Sequence, residues 1–209
     1  QQRPTIKTRK RFRKNTIRKI PFRFSKIMEI ITTPIKDLLI VKPKVFTDDR
    51  GFFLETYNEC RYKELGITQN FVQDNQSKSS YGVVRGLHFQ RAPYSQSKLV
   101  SVTIGKVWDV AVDLRANSAT YGQWYGVELT EDNHLQFLIP RGFAHGFSVL
   151  SETAVFSYKC DNFYNPAADG GILFNDPDLN IDWKIPTDKM ILSEKDTKHP
   201  LLKDVTLNF

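Results

Sequence analysis

The amino-acid sequence predicts a mainly β fold, an antiparallel sandwich or barrel with few helices. Short apolar or alternating segments recur along the chain, and turns rich in glycine, proline, aspartate and asparagine separate them. Helical patterns do not alternate with these segments, as they would in a βαβ sheet. The 209 residues, 40% hydrophobic and 25% charged, are enough for one domain with a sizeable core.

The candidate strands follow one another from residue 38 to residue 160. They are Leu38–Pro43, Phe52–Tyr57, Phe71–Ser77, Gly82–Phe89, Lys98–Ile104, Lys106–Asp113, Trp124–Leu129, Leu135–Ile139, His145–Val149 and Thr153–Cys160. Asn58–Leu65 is the one good early helix candidate, because Gly66 suits a helix C-terminus. From Asn175 onward, aspartate and proline predict loops and short turns packed on the barrel.

Alternation is clearest over residues 98–113. Lys98 shares one face with Val100 and Val102. On the next strand, Asp109 shares a face with apolar neighbours, and the opposite face is apolar too, as expected near a barrel wall. An acidic residue in that position is either hydrogen-bonded structure or a ligand contact.

The formal charge of +7 is unevenly distributed. Residues 1–27 hold eleven basic and no acidic side chains, so the other 182 residues carry −4, the difference between +7 and +11. Such a segment is typical of nucleic-acid or acidic-membrane binding, or of an organellar transit peptide. Because Met28 directly precedes the first strand-like residues, we expect a disordered or non-native N-terminal extension and one domain over residues 28–209.

The two cysteines, Cys60 and Cys160, do not make a disulfide framework, and no Cys/His spacing indicates structural zinc. A reducing cytoplasm is therefore the expected compartment. No apolar run approaches the roughly 20 residues that span a bilayer, so no membrane association is expected.

The segment from Val84 to Gln90 is the most informative part of the chain, because it places Arg85 and His88 in an apparent buried strand. Uncompensated burial of such groups is costly, and histidine exchanges protons near neutral pH. In a regular strand Arg85 and His88 would face opposite sides. Gly86 between them predicts a β-bulge that points both into one cavity. The alternative is a surface arginine and a core histidine.

A second motif, Pro140–Phe147, describes a tight turn entering a strand, with His145 near a rim. The other histidines, His88, His134 and His199, do not form a His-x-His pair, and Gln90 stands two residues after His88. Because imidazole clusters normally define protein metal sites, no metal is expected. Tyr158 and Tyr164 are notable among the aromatic residues, since a phenol can donate a proton and a ring can stack on a nucleobase.

Taken together, these segments closely resemble the dTDP-4-dehydrorhamnose 3,5-epimerases, a cupin-like jelly-roll family, from about Ile30 to Leu202. The resemblance rests on an ordered set of motifs: Lys44-Val45-Phe46, Asp49–Glu55, Phe71–Asn75, Arg85–Gln90, Lys98-Leu99-Val100, Asp109–Arg115, Ile139–Phe147 and Tyr158-Lys159. The fold it implies is a cupin-like antiparallel jelly-roll barrel with a few short peripheral helices.

The resemblance also implies roles for individual residues. His88 would be the base, Tyr158 the acid on the opposite face of the sugar, Lys98 the stabiliser of the enolate oxygen, and Asp196 the carboxylate that orients the histidine. The implied substrate-binding positions are Arg50, Glu55, Gln73, Asn75, Arg85, His145, Tyr164, Asp169 and Lys195. The family commonly has glutamate where this chain has Asp169, and the shorter side chain loses reach.

The implied reaction is epimerisation at C3 and C5 of dTDP-4-dehydro-6-deoxy-D-glucose, in dTDP-L-rhamnose biosynthesis. Proton abstraction beside a ketone moves no electrons to an acceptor, so no cofactor is expected. The family is homodimeric, with strand exchange that places the Arg50–Glu55 region at the neighbour's site. Three alternatives stay open: a single-centre epimerase, a metal-dependent cupin enzyme, and a non-catalytic sugar-nucleotide or nucleic-acid binder.

Overall fold

The computed structural model describes residues 28–207, and in this range it confirms the mainly β prediction. The strands are β1 Met28–Thr32, β2 Leu39–Pro43, β3 Val45–Asp48, β4 Gly51–Leu54, β5 Gln73–Ser80, β6 Val84–Gln90, β7 Lys98–Ile104, β8 Lys106–Asp113, β9 Trp124–Thr130, β10 Gln136–Ile139, β11 Phe143–Val149, β12 Thr153–Cys160 and β13 Asp169–Gly171. One α-helix, α1, spans Glu59–Glu64. The extension expected over residues 1–27 lies outside the described residues.

The strands form two antiparallel sheets and a separate hairpin. The larger sheet has the order β1-β2-β10-β7-β12-β5, the smaller has the order β13-β6-β11-β8-β9, and β3 pairs with β4 alone. Neighbours in sheet order are mostly distant in sequence, as in a jelly roll. The neighbours β7 and β12 in the larger sheet, and β6, β11 and β8 in the smaller, carry most of the polar residues discussed below.

Apolar side chains cover both faces of each sheet. The space between the sheets is filled by a cluster that includes Phe137, Phe147 and Phe156. The outer face of the smaller sheet is covered by the segment after β13, with Trp183 among its buried residues. Tyr62 of α1 lies in the cluster on the outer face of the larger sheet. This double coverage explains why β8 is apolar on both faces.

Most predicted elements are confirmed, with small shifts at their ends. The predicted helix is present, with the Asn58 side chain accepting a hydrogen bond from the N–H of Arg61. The residues after Asn175 form turns and short 3-10 helices, as predicted. The predicted strand Phe52–Tyr57 ends instead at Leu54. It pairs only with β3, in a hairpin whose Phe52 and Phe53 are 61% and 69% exposed.

Two strands have no counterpart among the predictions, β3 and β13, and β1 coincides with the strand-like residues noted after Met28. The shortest, β13, is Asp-Gly-Gly and carries no apolar pattern, so pairing with β6 alone makes it a strand. Both cysteines are free thiols, Cys60 exposed and Cys160 buried. None of the helices in residues 28–207 is long and apolar enough to cross a membrane.

Candidate active site

A β-bulge in β6 shapes the polar segment, as predicted. The register between β6 and β11 shifts at this point, and Gly86 has φ +130°, a conformation that favours glycine. A Cβ on Gly86 would lie 2.6 Å from Cα of Gly146, so the close approach of β6 and β11 also requires glycine. Val84 and Leu87 consequently pack in the same outer cluster. Arg85 and His88 share the interior face.

His88 hydrogen-bonds the carboxylate of Asp196 from a distant part of the chain. His88 Nε2 lies 2.6 Å from Asp196 Oδ1, and the N–H of Gly86 donates to Oδ2 at 3.4 Å. Burial alone would raise the pKa of Asp196, but its bonds from His88, Gly86 and Ser193 outweigh burial and lower it. The ionised carboxylate accepts the Nε2 proton and leaves Nδ1 as the basic nitrogen.

Lys98 and Tyr158 come from the opposite sheet. They lie on β7 and β12, with Lys98 Nζ 5.7 Å from the centroid of the Tyr158 ring. Burial lowers the pKa of Lys98, although Cys160, Asp109 and Asp169 oppose this shift. Burial raises the pKa of Tyr158, so its hydroxyl holds a proton at neutral pH.

These groups surround a cavity of about 320 Å³ at one end of the space between the sheets. Seven of the predicted site residues line it: Gln73, Asn75, His88, Lys98, Tyr158, Tyr164 and Asp169. A polar cavity at the mouth of a small barrel is a common place for a ligand. A cavity of about 1080 Å³ near Arg115 and Arg141 contains none of the predicted site residues.

The predicted position of His145 near a rim is wrong. Its side chain is only 8% exposed, and its Nε2 lies 3.0 and 3.1 Å from the two oxygens of fully buried Asp109. The ring also stacks on Phe156, with centroids 5.9 Å apart. Neighbouring strands β8 and β11 bring Asp109 opposite Phe147 in the register, two residues from His145. Asp109 is therefore hydrogen-bonded structure beneath the site.

Burial shifts the pKa values of both members of the His145–Asp109 pair. It raises the pKa of Asp109 and lowers that of His145, and the attraction between the two groups opposes both shifts. His145 and His88 are directly opposite each other in the β11–β6 register. The histidines of the two pairs thus lie on adjacent strands.

Asp169 is held at the cavity wall by its neighbours. Its carboxylate accepts a hydrogen bond from Lys195 and another from Gln90 Nε2 at 3.3 Å. The backbone N–H of Tyr164 donates to Gln73 Oε1 at 2.9 Å, and the Tyr164 ring is exposed. The aspartate thus makes contacts at the cavity despite its short side chain.

Three further predicted site residues do not line the cavity, because their side chains pair with other residues. Arg85 lies on the interior face but hydrogen-bonds Ser79 Oγ on β5 at 3.1 and 3.2 Å. Arg50 pairs with Asp48 across the hairpin turn, and Glu55 pairs with Arg61 at 2.6 Å. Within this chain, Arg50 and Glu55 are not brought to the cavity, and their predicted role at a partner's site stays a prediction.

Sequence reasoning missed two kinds of residue. Gln90 and Gln96 line the cavity. Gln90 could have been inferred, because it lies two residues after His88 and therefore on the same face of the strand. Gln96 could not. His199 lies beside the His88–Asp196 pair, with its Nε2 3.6 Å from Asp196 Oδ1. No spacing rule connects positions 88 and 199, so no signal in the sequence could have found this contact.

Comparison with known proteins places this geometry among sugar-nucleotide enzymes. Residues 32–204 match the family model described as dTDP-4-dehydrorhamnose 3,5-epimerase. The chain is 54% identical over 172 residues to the Escherichia coli protein of that name, an alignment that covers 82% of this chain and 92% of that protein. It is also similar to two crystal structures.

The first is a dTDP-4-dehydrorhamnose 3,5-epimerase from Elizabethkingia anophelis, with 62% identity and a TM-score of 0.82 over 85% of this chain and 98% of that one. The second is a dTDP-6-deoxy-D-glucose-3,5-epimerase from Legionella pneumophila in complex with dTDP-4-keto-L-rhamnose. It has 51% identity and a TM-score of 0.83 over 86% of this chain and 95% of that one.

Proposed function

We propose, since the chain belongs to the dTDP-4-dehydrorhamnose 3,5-epimerase family, that it inverts C3 and C5 of dTDP-4-dehydro-6-deoxy-D-glucose. The observation that carries the proposal is the His88–Asp196 pair, which faces Lys98 and Tyr158 across one cavity. The product is dTDP-4-dehydro-L-rhamnose, an intermediate of dTDP-L-rhamnose biosynthesis.

His88 is the general base. The 4-keto group acidifies the C–H bonds at C3 and C5, and Nδ1 of His88 accepts one of these protons. Asp196 holds the ring in one tautomer and stabilises the imidazolium that forms, as the aspartate does in serine-hydrolase triads. Burial would raise the pKa of Asp196, but the hydrogen bonds that its carboxylate accepts lower it by more. Asp196 therefore stays ionised for this role.

Lys98 stabilises the enolate that proton removal produces. The negative charge develops on the C4 oxygen, and a cation in a poorly solvated cavity stabilises it more strongly than water does. Burial lowers the pKa of Lys98, while the carboxylates of Asp109 and Asp169 favour its charged form.

Tyr158 returns a proton from the other face. It lies on the sheet opposite His88, and its raised pKa keeps the phenol protonated at neutral pH. Protonation on the face opposite abstraction inverts the carbon. The same pair of groups serves both centres when the sugar reorients between the two steps, after His88 has released its proton to solvent and Tyr158 has taken one up.

The nucleotide extends from the cavity toward Tyr164. The exposed ring of Tyr164 stacks on the thymine. Polar contacts at the cavity wall come from Asp169, Lys195, Gln73 and Asn75. Arg85 acts near the substrate from the interior face, while His145 supports the site from beneath through its pair with Asp109. None of these steps calls for a cofactor.

Proton exchange measured by NMR in deuterated water tests the proposal. With dTDP-4-dehydro-6-deoxy-D-glucose, the chain should exchange the C3 and C5 protons and yield the doubly inverted sugar. His88→Asn should lose both, whereas His134→Asn, a histidine in the turn between β9 and β10, should retain them. Near-normal exchange in His88→Asn would contradict the assignment of the base, and a product inverted at one centre would point to a single-centre epimerase.

The assembly proposed here is a homodimer in which each site takes residues from both chains. Phe46, Phe52 and Phe53 on the β3–β4 hairpin are 47%, 61% and 69% exposed, an apolar surface suited to a second copy. In such a dimer Arg50 and Glu55 would reach the partner's cavity. The two free cysteines are consistent with work in a reducing cytoplasm.

Mixed dimers test this sharing. Arg50→Ala and His88→Asn chains, each weakly active alone, should regain activity when co-expressed, because one of the two sites then has both residues intact. Light scattering should give twice the chain mass. A monomer, or mixtures no more active than their components, would count against shared sites.

A further inference from the structure

We infer that His199 completes a transition-metal site with His88 and Asp196, and that occupation of this site by Zn²⁺ switches off the catalytic base. The inhibitory part of this inference rests on the function proposed above. The binding part rests only on the geometry of the three residues.

The three side chains converge from separate parts of the fold. His88 belongs to β6, while Asp196 begins the short 3-10 helix Asp196–Lys198 and His199 directly follows it. Asp196 Oδ1 lies 2.6 Å from Nε2 of His88 and 3.6 Å from Nε2 of His199. One ligand atom from each residue lies within 4.8 Å of the others.

No hydrogen bond to Nε2 within residues 28–207 explains the position of His199. The His199 side chain is only 11% exposed. Its Nε2 is buried and has no hydrogen-bond partner among the described residues. Leaving a buried polar atom unpaired costs about 1–3 kcal/mol. The ring packs on the backbone of Gly171, where a Cβ would come within 2.4 Å of Nε2. The imidazole is therefore held in place with an unused lone pair or N–H aimed at Asp196.

Two imidazoles and one carboxylate form a familiar zinc ligand set. Zinc–ligand bonds are about 2.0–2.2 Å in tetrahedral sites, so neighbouring ligand atoms lie roughly 3.4 Å apart. The observed contacts of 2.6 and 3.6 Å lie on either side of this separation. Side-chain rotations that bring all three ligand atoms to this separation would complete the protein ligands, and water would supply the fourth ligand.

Metal at this position would act through the tautomer of His88. Zn²⁺ would replace the proton on Nε2, and a neutral imidazole bound through Nε2 carries its proton on Nδ1. Nδ1 then has no lone pair for proton abstraction. Because the metal lies behind the ring, on the Asp196 side, it would lower kcat more than it raises the KM for the sugar nucleotide.

The test measures metal binding and enzyme inhibition separately on the chelator-treated 209-residue chain. Co²⁺ should give visible ligand-field absorption that saturates near one ion per chain, and Zn²⁺ should displace it. His199→Gln should weaken binding of either ion by at least about 10-fold, whereas His134→Gln should not. A cobalt–thiolate absorption band would assign binding to Cys60 or Cys160 and overturn the proposal.

Activity gives the second readout. Zn²⁺ should reduce kcat in the wild-type chain, and His199→Gln should match wild type in metal-free buffer while resisting Zn²⁺. If His199→Gln binds Co²⁺ as tightly as wild type, the proposed metal site is wrong, regardless of the epimerase activity of the variant. If the chain binds Co²⁺ as expected yet has no epimerase activity, the proposed function fails and the metal site stands. Should His199→Gln not fold, X-ray absorption of the wild-type Co²⁺ complex decides, because a spectrum without two imidazole ligands rules the site out.

Discussion

The two histidine–aspartate pairs use the same groups for different ends. His88 is 32% exposed at the cavity, and its aspartate arrives from a 3-10 helix 108 residues away. His145 and Asp109 are 8% and 0% exposed and lie on neighbouring strands within the barrel. The pKa of Asp196 is lowered, whereas burial raises that of Asp109. Solvent access and the number of donors, rather than the residue types, distinguish the pair proposed to carry the chemistry from the pair buried in the barrel.

The largest effect should come from breaking the exposed pair. Asp196→Asn replaces the charged, acceptor-only carboxylate with a neutral amide that can also donate, so the His88 tautomer is no longer fixed. Turnover should fall by about 10²–10⁴-fold, as for an aspartate in a catalytic triad. Steady-state kinetics would measure it, with circular dichroism to check the fold. A loss confined to KM would show that Asp196 does not act through His88.

The acid opposite His88 should have the next largest effect. Tyr158→Phe removes the proton donor but keeps the ring, so inversion should fall by about 10²-fold. Deuterium exchange at C3 and C5 should fall less, because His88 is intact. NMR of substrate in deuterated water separates the two rates, and equal losses of both would argue against an acid role.

Breaking the buried pair should affect stability more than chemistry. Asp109→Asn leaves His145 without its charged partner inside the barrel, which should lower the free energy of unfolding by about 1–3 kcal/mol. Urea denaturation would measure the change. Asp196→Asn, whose partner His88 has access to solvent, should lose less stability. The opposite ranking would contradict the contrast between the two pairs.

The smallest effect concerns acid stability. Because the folded-state pKa of Asp196 lies below its usual value of 3.8, its contribution to stability is present above pH 3.8 and is lost as the pH falls through the folded pKa. Asp196→Asn should flatten this part of the curve of urea midpoint against pH. Asp109→Asn should not, because burial shifts the pKa of Asp109 the other way.

Local pattern accounts for much of the fold and part of the site. Alternation over 98–113 predicted β7 and β8 to the residue, and Gly86 predicted the bulge that places Arg85 and His88 on one face. The hairpin β3–β4 was half missed because it is exposed and pairs with neither sheet. β13 was missed because two of its three residues are glycines.

Sequence by itself determined the strand class, the unusual polar strand around His88 and the membership of a recognisable motif set. These depend on neighbours a few residues apart, where side-chain period and turn chemistry decide. Only the tertiary structure decided that His145 is buried on Asp109 and that His199 joins Asp196. Such contacts join residues brought together by sheet order and by the packing of the C-terminal segment, and local periodicity carries no information about either.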